Sequence, residues 1–198
     1  MSRSFQLHFS EIYAIIIFGG DTMNCERFEK NLTDNVREAQ LKLGYDGRPM
    51  SLNYMFSTLK HLLGSQSEEE IIAEISQFSS DLGQLSLRKI RDGVCITIPA
   101  EGTAFVHSQT TGKEFIAELV RTVTNHGISL ENVLDVFRKH GQIVVEESGS
   151  GEFDYLVKFV DGQPDDYRYC LTLEPCMGGG CHVTYHRFIA EDYDDLGF

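Results

Sequence analysis

The sequence has 198 residues, with 41% hydrophobic and 24% charged side chains, which fits one globular domain or two small lobes sharing a core. Its net charge of −13 includes twelve carboxylates against three basic side chains in residues 142–198, which disfavours nucleic-acid phosphates and anionic lipid as partners. Five cysteines without regular spacing are atypical of a secreted disulfide framework, so we expect reduced thiols and a cytoplasmic location.

The first 22 residues do not resemble a targeting segment. The apolar run from Ile12 to Phe18 is too short to span a bilayer, which needs about twenty residues, and no small-residue cleavage site follows it. Gly19-Gly20-Asp21 can be encoded by a purine-rich ribosome-binding sequence, with one codon between it and Met23. We therefore expect a bacterial protein that starts at Met23, with residues 1–22 a translated leader or a disordered extension.

The domain of residues 23–198 is predicted to begin with three helices. Apolar residues recur at helical spacing in three segments, and Ser67 with Glu70 forms a capping box before the third. These helices are Cys25–Leu43, Tyr54–Leu63 and the segment marked by Ile71 to Phe78. Runs rich in β-branched residues then predict three strands, with a hairpin at Asp92-Gly93 whose register stays open: Leu85–Arg91, Val94–Ile98 and Thr103–His107.

Two further helices and a run of strands complete the predicted domain. One helix contains Phe115 to Val123, and the next, capped by Ser129, ends at Gly141. Strands are predicted at Gln142–Glu147, Glu152–Val160, Tyr167–Leu173 and Cys181–Phe188. The fold class is therefore α+β: N-terminal helices, a β-hairpin or three-strand segment, two central helices and a C-terminal antiparallel meander. Residues 23–108 and 112–198 are possible lobes.

The best candidate for a metal site is the group of Cys170, Cys176, Cys181, His182 and His186. Structural zinc sites use more closely spaced pairs of ligands. If Cys181–Phe188 is a strand, Cys181 points away from the two histidines, which are themselves about 13 Å apart at strand rise. We therefore expect no metal and no cofactor, and we interpret Gly178-Gly179-Gly180 as a hairpin loop because it leads into a strand.

Residues 112–159 have the element order of a winged helix, with Leu130–His140 as the recognition helix. The side chains expected on its exposed face are Glu131, Asn132, Asp135, Arg138 and Lys139, which sum to zero charge. Because DNA-reading helices concentrate Lys and Arg on such a face, nucleic-acid binding is disfavoured.

Several strings of the sequence are distinctive together: Leu43-Gly44-Tyr45, the helix with Ser57, Leu59, His61, Leu62 and Leu63, Tyr167-Arg168-Tyr169-Cys170, Cys181–Phe188 and Glu191-Asp192-Tyr193. They resemble a bacterial family known as domain of unknown function 3877, over approximately residues 23–198. The family carries no assigned activity, so the resemblance implies no functional residue, although it fits a start at Met23 and a cytoplasmic location.

The leading interpretation is a non-catalytic binding or regulatory domain that recognises a basic protein through its acidic C-terminal sheet and loops. The simpler alternative for the acidic third is solubility. A second functional hypothesis is an enzyme or small-ligand protein using His182, Tyr185, His186 and Arg187, which a pocket holding two of these side chains would favour. A winged-helix regulator is the third. The sequence leaves catalytic residues and the oligomeric state unassigned.

Overall fold

The computed structural model of the protein describes residues 22–64 and 67–197, so the predicted leader lies outside the described residues except for Thr22. The described helices are α1 (Thr22–Leu43), α2 (Phe56–Leu63), α3 (Glu68–Gln77), α4 (Ala100–Gln109), α5 (Phe115–Val123), α6 (Leu130–His140) and α7 (Ala190–Leu196). The described strands are β1 (Met50–Met55), β2 (Ser86–Ile90), β3 (Gly93–Ile98), β4 (Ile143–Glu147), β5 (Tyr155–Phe159), β6 (Arg168–Pro175) and β7 (Cys181–Phe188).

The strands form two antiparallel sheets. The first has the order β1-β3-β2, and the second is a meander in the order β4-β5-β6-β7. The predicted α+β class and the C-terminal antiparallel meander are therefore confirmed. One cluster of buried hydrophobic side chains includes residues from α1, from both sheets and from α5 and α6.

Helix α1 supplies the stripe that joins this core. Phe28, Leu32 and Val36 lie four residues apart and are fully buried, as expected for one face of a helix. Leu43, the last residue of the predicted helix, is 85% exposed because α1 ends there. The following Gly44 has a φ of 87° and donates its N–H to the carbonyl of Gln40 at 2.9 Å.

The elements from α1 to β3 follow the order helix, strand, helix, helix, strand, strand, and β1 lies beside β3. This is the topology of a winged-helix unit, in which α3 takes the place of the second helix of a helix-turn-helix pair. The sequence predicts such an order in residues 112–159 instead. There α5, α6, β4 and β5 do follow one another, but their hairpin continues into a four-stranded sheet.

Three elements differ from the sequence predictions. Thr103–His107 is part of α4 rather than a strand, and Thr103 Oγ1 donates to the carbonyls of Ala100 and Arg48. Residues 50–55 form β1, so the predicted helix from Tyr54 begins two residues later, at Phe56. The acidic residues after Ile189, for which the sequence predicts no helix or strand, form α7.

The hairpin at Asp92-Gly93 has a defined register. Ile90 pairs with Gly93, so the two-residue turn is Arg91-Asp92 and Gly93 belongs to β3. A Cβ atom on Gly93 would lie 1.9 Å from the carbonyl oxygen of Tyr54. The glycine therefore allows β1 to approach β3 at this end of the sheet.

The triple glycine lies in the loop between β6 and β7, as predicted. Cys176 donates its N–H to the carbonyl of Gly180 at 3.0 Å, and Cys181 forms a two-way bridge with Ile128. A Cβ atom on Gly180 would lie 2.3 Å from the carbonyl oxygen of Gly127. The start of β7 is therefore held backbone to backbone against the segment that connects α5 and α6.

Candidate functional site: a groove over helix α1

A groove of about 510 Å³ lies over α1, between β1 on one side and the end of β7 with the start of α7 on the other. Its floor is one face of α1, because the contributing residues follow helical spacing: Asn31, Asn35, Glu38, Ala39 and Lys42. Four consecutive residues of β1 and three consecutive residues from Arg187 to Ile189 form the walls. Since consecutive strand residues point to opposite faces, they can line one groove only where it opens along the strand edge.

Arg187 provides the central charge of the floor. Its side chain is 5% exposed, and its Nη2 lies 2.9 Å from Glu38 Oε2. The same Nη2 donates to Asn35 Oδ1 at 2.7 Å, and the guanidinium lies over the Tyr167 ring, 4.4 Å from its centroid. This buried cation is therefore bound by two residues of α1 and by Tyr167, the residue just before β6.

Glu38, the partner of Arg187 in this ion pair, also contacts two other donors. Its Oε1 accepts a hydrogen bond from the Tyr185 hydroxyl at 2.8 Å and lies 2.7 Å from Lys42 Nζ. Burial alone would raise the pKa of Glu38, but Arg187, Lys42 and the Tyr185 hydroxyl together hold this pKa below its usual value. Glu38 is therefore an ionised carboxylate at neutral pH, with its oxygens already in use.

Amide and phenol groups extend the network toward β1. Asn35 Nδ2 donates to the Tyr54 hydroxyl at 2.7 Å, and that hydroxyl donates to Asn31 Oδ1 at 2.8 Å. Asn31 Nδ2 in turn donates to the Tyr167 hydroxyl at 3.1 Å. Burial raises the pKa of Tyr54 and of Tyr167 well above the usual value of 10.0, so both remain protonated at neutral pH.

Helix α7 forms the acidic wall of the groove and is attached by polar contacts. Arg27 Nη2 donates to Glu191 at 2.6 Å, and Thr58 Oγ1 donates to Asp192 at 2.5 Å. His61 Nε2 lies 3.0 Å from Asp195. Tyr193 of α7 also packs against Phe153, and Ile189 just before the helix is buried, so polar and apolar contacts together position α7.

The structure separates the four candidate residues named from the sequence. Arg187 lines the groove, and Tyr185 is joined to it through Glu38. His182 and His186 are on the opposite face of β7, as strand alternation requires. The His182 ring lies beside the His126 ring, with centroids 5.0 Å apart and the ring planes tilted by 36°, and His186 is exposed beside Phe188. The groove therefore holds one of the four side chains.

The cysteines do not assemble a ligand set among the residues described. Cys181–Phe188 is a strand, so Cys181 points to the face of β7 opposite to that of His182 and His186. Cys170 is buried, and burial raises its pKa to about 11. Within residues 22–64 and 67–197, no group of three or more His, Cys, Asp or Glu side chains could hold a metal ion.

Sequence reasoning missed the polar face of α1. Asn31, Asn35 and Glu38 repeat at intervals of four and three residues beside the buried apolar stripe, and this spacing is visible in the sequence. Their partners, Tyr167, Tyr185 and Arg187, lie more than 130 residues further along the chain. The spacing alone is also typical of an ordinary solvated face, so it could not identify a groove.

In the part of the chain that the structure describes, no helix combines the length and the apolar character needed to cross a membrane.

No curated protein and no solved structure matches the chain. A family model does match, over residues 25–197, with the description "Domain of unknown function, E. rectale Gene description (DUF3877)". Since this match covers most of the sequence, the chain belongs to the DUF3877 family.

Proposed function

We propose that the chain is a non-catalytic binding domain of the bacterial cytoplasm that recognises a basic protein partner in the groove over α1. The observation that carries the proposal is the wall that β1 contributes to the groove, because β1 pairs with β3 alone among the described strands and its outer edge is open. Exposed backbone edges are surfaces to which an extended chain can bind.

The chemistry of the floor supports binding rather than catalysis. Arg187 and Glu38 neutralise each other, and the Tyr54 and Tyr167 hydroxyls stay protonated because burial raises their pKa. A general acid or base works best with a pKa near the operating pH, and these groups are far from it. The alternative of an enzyme has one of its four candidate residues at the groove, Arg187.

The charge of the wall supports a basic partner. Helix α7 carries Glu191, Asp192, Asp194 and Asp195 and no basic residue, and it borders the groove through Asp192. Such a local excess of carboxylates attracts a positively charged partner and increases its association rate at low salt.

The helices that could read DNA do not offer free positive charge. Helix α3, in the position of a recognition helix, carries Glu68, Glu69, Glu70 and Glu74 and neither Lys nor Arg. On α6, the basic side chains of Arg138, Lys139 and His140 contact carboxylates of Glu131, Asp135 and Glu118. These charges favour a protein partner over a nucleic acid.

Site-specific photo-crosslinking tests the proposal. A photoreactive amino acid at Met55, which is 51% exposed and lines the groove, should trap a discrete basic protein in bacterial cells. The matched control carries the same amino acid at Val145, which is 37% exposed on β4. Equal trapping at both positions, or none at Met55, would contradict the proposal.

A single charge substitution sharpens this test. The Asp192 and Asp195 carboxylates contact Thr58 and His61, so their removal would also loosen α7. Asp194→Asn removes one α7 charge without touching those contacts and should weaken trapping at Met55 at low salt, and the difference from the wild type should disappear as the salt concentration rises, because salt screens exposed charges. Asp161→Asn, a change of equal charge on an exposed residue outside the groove lining, is the control.

A further inference from the structure

We infer that the partner binds as an added β-strand on the free edge of β1, and that its extended segment carries a basic residue at the Met55 end. This inference rests on the proposed function, since it names how the same groove is occupied. It follows from the hydrogen-bond phase of β1, the absence of protecting charges on that strand and the position of α7.

The phase of the β1–β3 ladder shows which backbone groups are free. Phe56 donates its N–H to the carbonyl of Asp92 at 3.0 Å, in register with the pairs of β1 and β3. Because bonded and non-bonded pairs alternate in an antiparallel ladder, Tyr54 and Leu52 also direct their backbone groups toward β3. The N–H and C=O groups of Ser51, Asn53 and Met55 therefore point away from β3.

The outer side of β1 has no strand partner among the residues described, since β1 pairs with β3 alone. Asn53 and Met55, two of the residues with outward-pointing backbone groups, line the groove, and both are exposed. The edge thus offers alternate backbone donors and acceptors at the spacing of a strand.

The outer strands of the two sheets differ in how they are protected. Proteins commonly place charges on edge strands to prevent pairing with other chains. Strand β2 carries Arg88 and Lys89, β4 carries Glu146 and Glu147, and the first residue of β7 is bridged to Ile128. Strand β1, Met-Ser-Leu-Asn-Tyr-Met, has no charge and no proline. Among the described outer strands, β1 alone is suited to strand addition.

The surroundings of this edge define the segment that fits. A strand added to β1 would direct alternate side chains over the α1 floor, where Arg187 and Glu38 already pair and where Ala39 leaves space. Thr58, which follows Met55 closely in the chain, binds Asp192 of α7. The acidic wall therefore lies at the Met55 end of the edge, opposite a Lys or Arg of the partner.

The probe for the test is a displayed library of random ten-residue peptides, selected on the full-length protein at low salt. The selected peptide is then synthesised with a single N-methyl group at each backbone amide in turn. Strand pairing predicts losses of affinity of about tenfold or more at alternate residues and about twofold or less between them, because only alternate amides donate to β1. A scan without this period of two would overturn the inference.

Variants of β1 provide the matching measurement on the protein. Asn53→Pro removes an N–H that β3 does not use, so the sheet should tolerate it, as edge positions do. It should weaken peptide binding about tenfold, whereas Asn53→Ala, which keeps the N–H, should change it about twofold or less. Equal affinity of the two variants would overturn strand pairing, and the N-methyl scan decides the matter on wild-type protein if Asn53→Pro fails to fold.

A separate pair of variants distinguishes the failure of this inference from that of the proposed function. Ala39→Met lengthens a side chain on the groove floor, and Ala104→Met makes the same change on the exposed side of α4. If Ala39→Met alone abolishes peptide binding while the N-methyl scan is flat, the groove binds peptides by side chains and strand pairing is wrong. If neither variant affects binding, the groove itself is not the site.

Discussion

On β7, the side chains of Tyr185 and Arg187, which face α1, have a complete set of partners, whereas His182 at the other end of the strand does not. Arg187 and Tyr185 both reach Glu38 of α1, within 2.9 Å. His182, on the other face of the same strand, has a buried Nδ1 without a hydrogen-bond partner and lies beside the His126 ring. The sequence offered His182, Tyr185, His186 and Arg187 as equal candidates, and the two faces of the strand separate them.

The difference shows what a buried charge requires of its surroundings. A guanidinium removed from water is retained only if carboxylates and hydrogen-bond acceptors replace the lost solvent. Helix α1 supplies them to Arg187 from Asn35 and Glu38. A histidine can remain neutral, so its position at the other end needs no comparable network. The two ends should therefore respond very differently to substitution.

The largest effect is expected for Arg187→Met. Removing one partner of a buried ion pair leaves the other without compensation, so the free energy of unfolding should fall by about 3–5 kcal/mol. Urea denaturation measures this loss. Adding Glu38→Gln should recover part of it, because the carboxylate that has lost its buried counter-ion and keeps only Lys42 and the Tyr185 hydroxyl is then absent. A single variant as stable as the wild type would show that the pair contributes nothing.

A smaller effect, dependent on pH, is expected for Glu38→Gln. Because the folded state holds the pKa of Glu38 below 4.5, its usual value, the ionised carboxylate contributes stability above about pH 4.5 that is lost as the pH falls further. At pH 7 the variant should be less stable by about 1.5–3 kcal/mol, the range for hydrogen bonds to charged groups. Melting temperatures between pH 7 and pH 3 should converge at the acidic end; a constant difference would contradict this.

Substitutions at the other end of β7 should cost less. His182→Ala removes a ring whose Nδ1 has no partner, so the loss should stay below about 1 kcal/mol. Tyr185→Phe, three residues away, deprives the Glu38 carboxylate of a donor and should cost more. Thermal unfolding of both variants makes the comparison, and a reversed order would show that the His182 end is the more important one.

No effect is expected from chelation. The described residues around Cys181 and His182 contain no closed ligand set, so EDTA should leave the melting temperature unchanged. Elemental analysis of the purified protein provides the control. Stoichiometric zinc that disappears on substitution of Cys181 or His186 would mean that the two faces of β7 cooperate after all.

Elements with strong local signals were predictable from the sequence. Ser67 with Glu70 and Ser129 with Asn132 form complete capping boxes, and α3 and α6 begin directly after them. The central helices and the four strands of the meander were likewise predicted in their observed order. For these elements, local propensity and tertiary packing agree.

Elements that depend on distant contacts were not predictable. Thr103–His107 has the β-branched and aromatic character of a strand, but Gly102 packs against the Leu82 carbonyl, where a Cβ would lie 2.1 Å away, and Thr103 bonds to Arg48. The carboxylates of α7 have the sequence character of a solvated segment, because their partners Arg27 and Thr58 lie far away in the chain. In the candidate site, Arg187 was identified from the sequence. Its partners on α1 could be identified only from the folded structure.

The three adjacent glycines before β7 should differ in how many substitutions each position tolerates. Gly178 has an ordinary φ and no atom within 4 Å of a new Cβ, so any side chain can replace it. Gly179 has a φ of 90°, which restricts the choice to residues such as Asn that accept left-handed backbone. Gly180 combines a φ of 71° with the contact to Gly127, so every substitution there must displace backbone. In a randomised library, position 178 would therefore retain many residue types, position 179 few, and position 180 glycine alone.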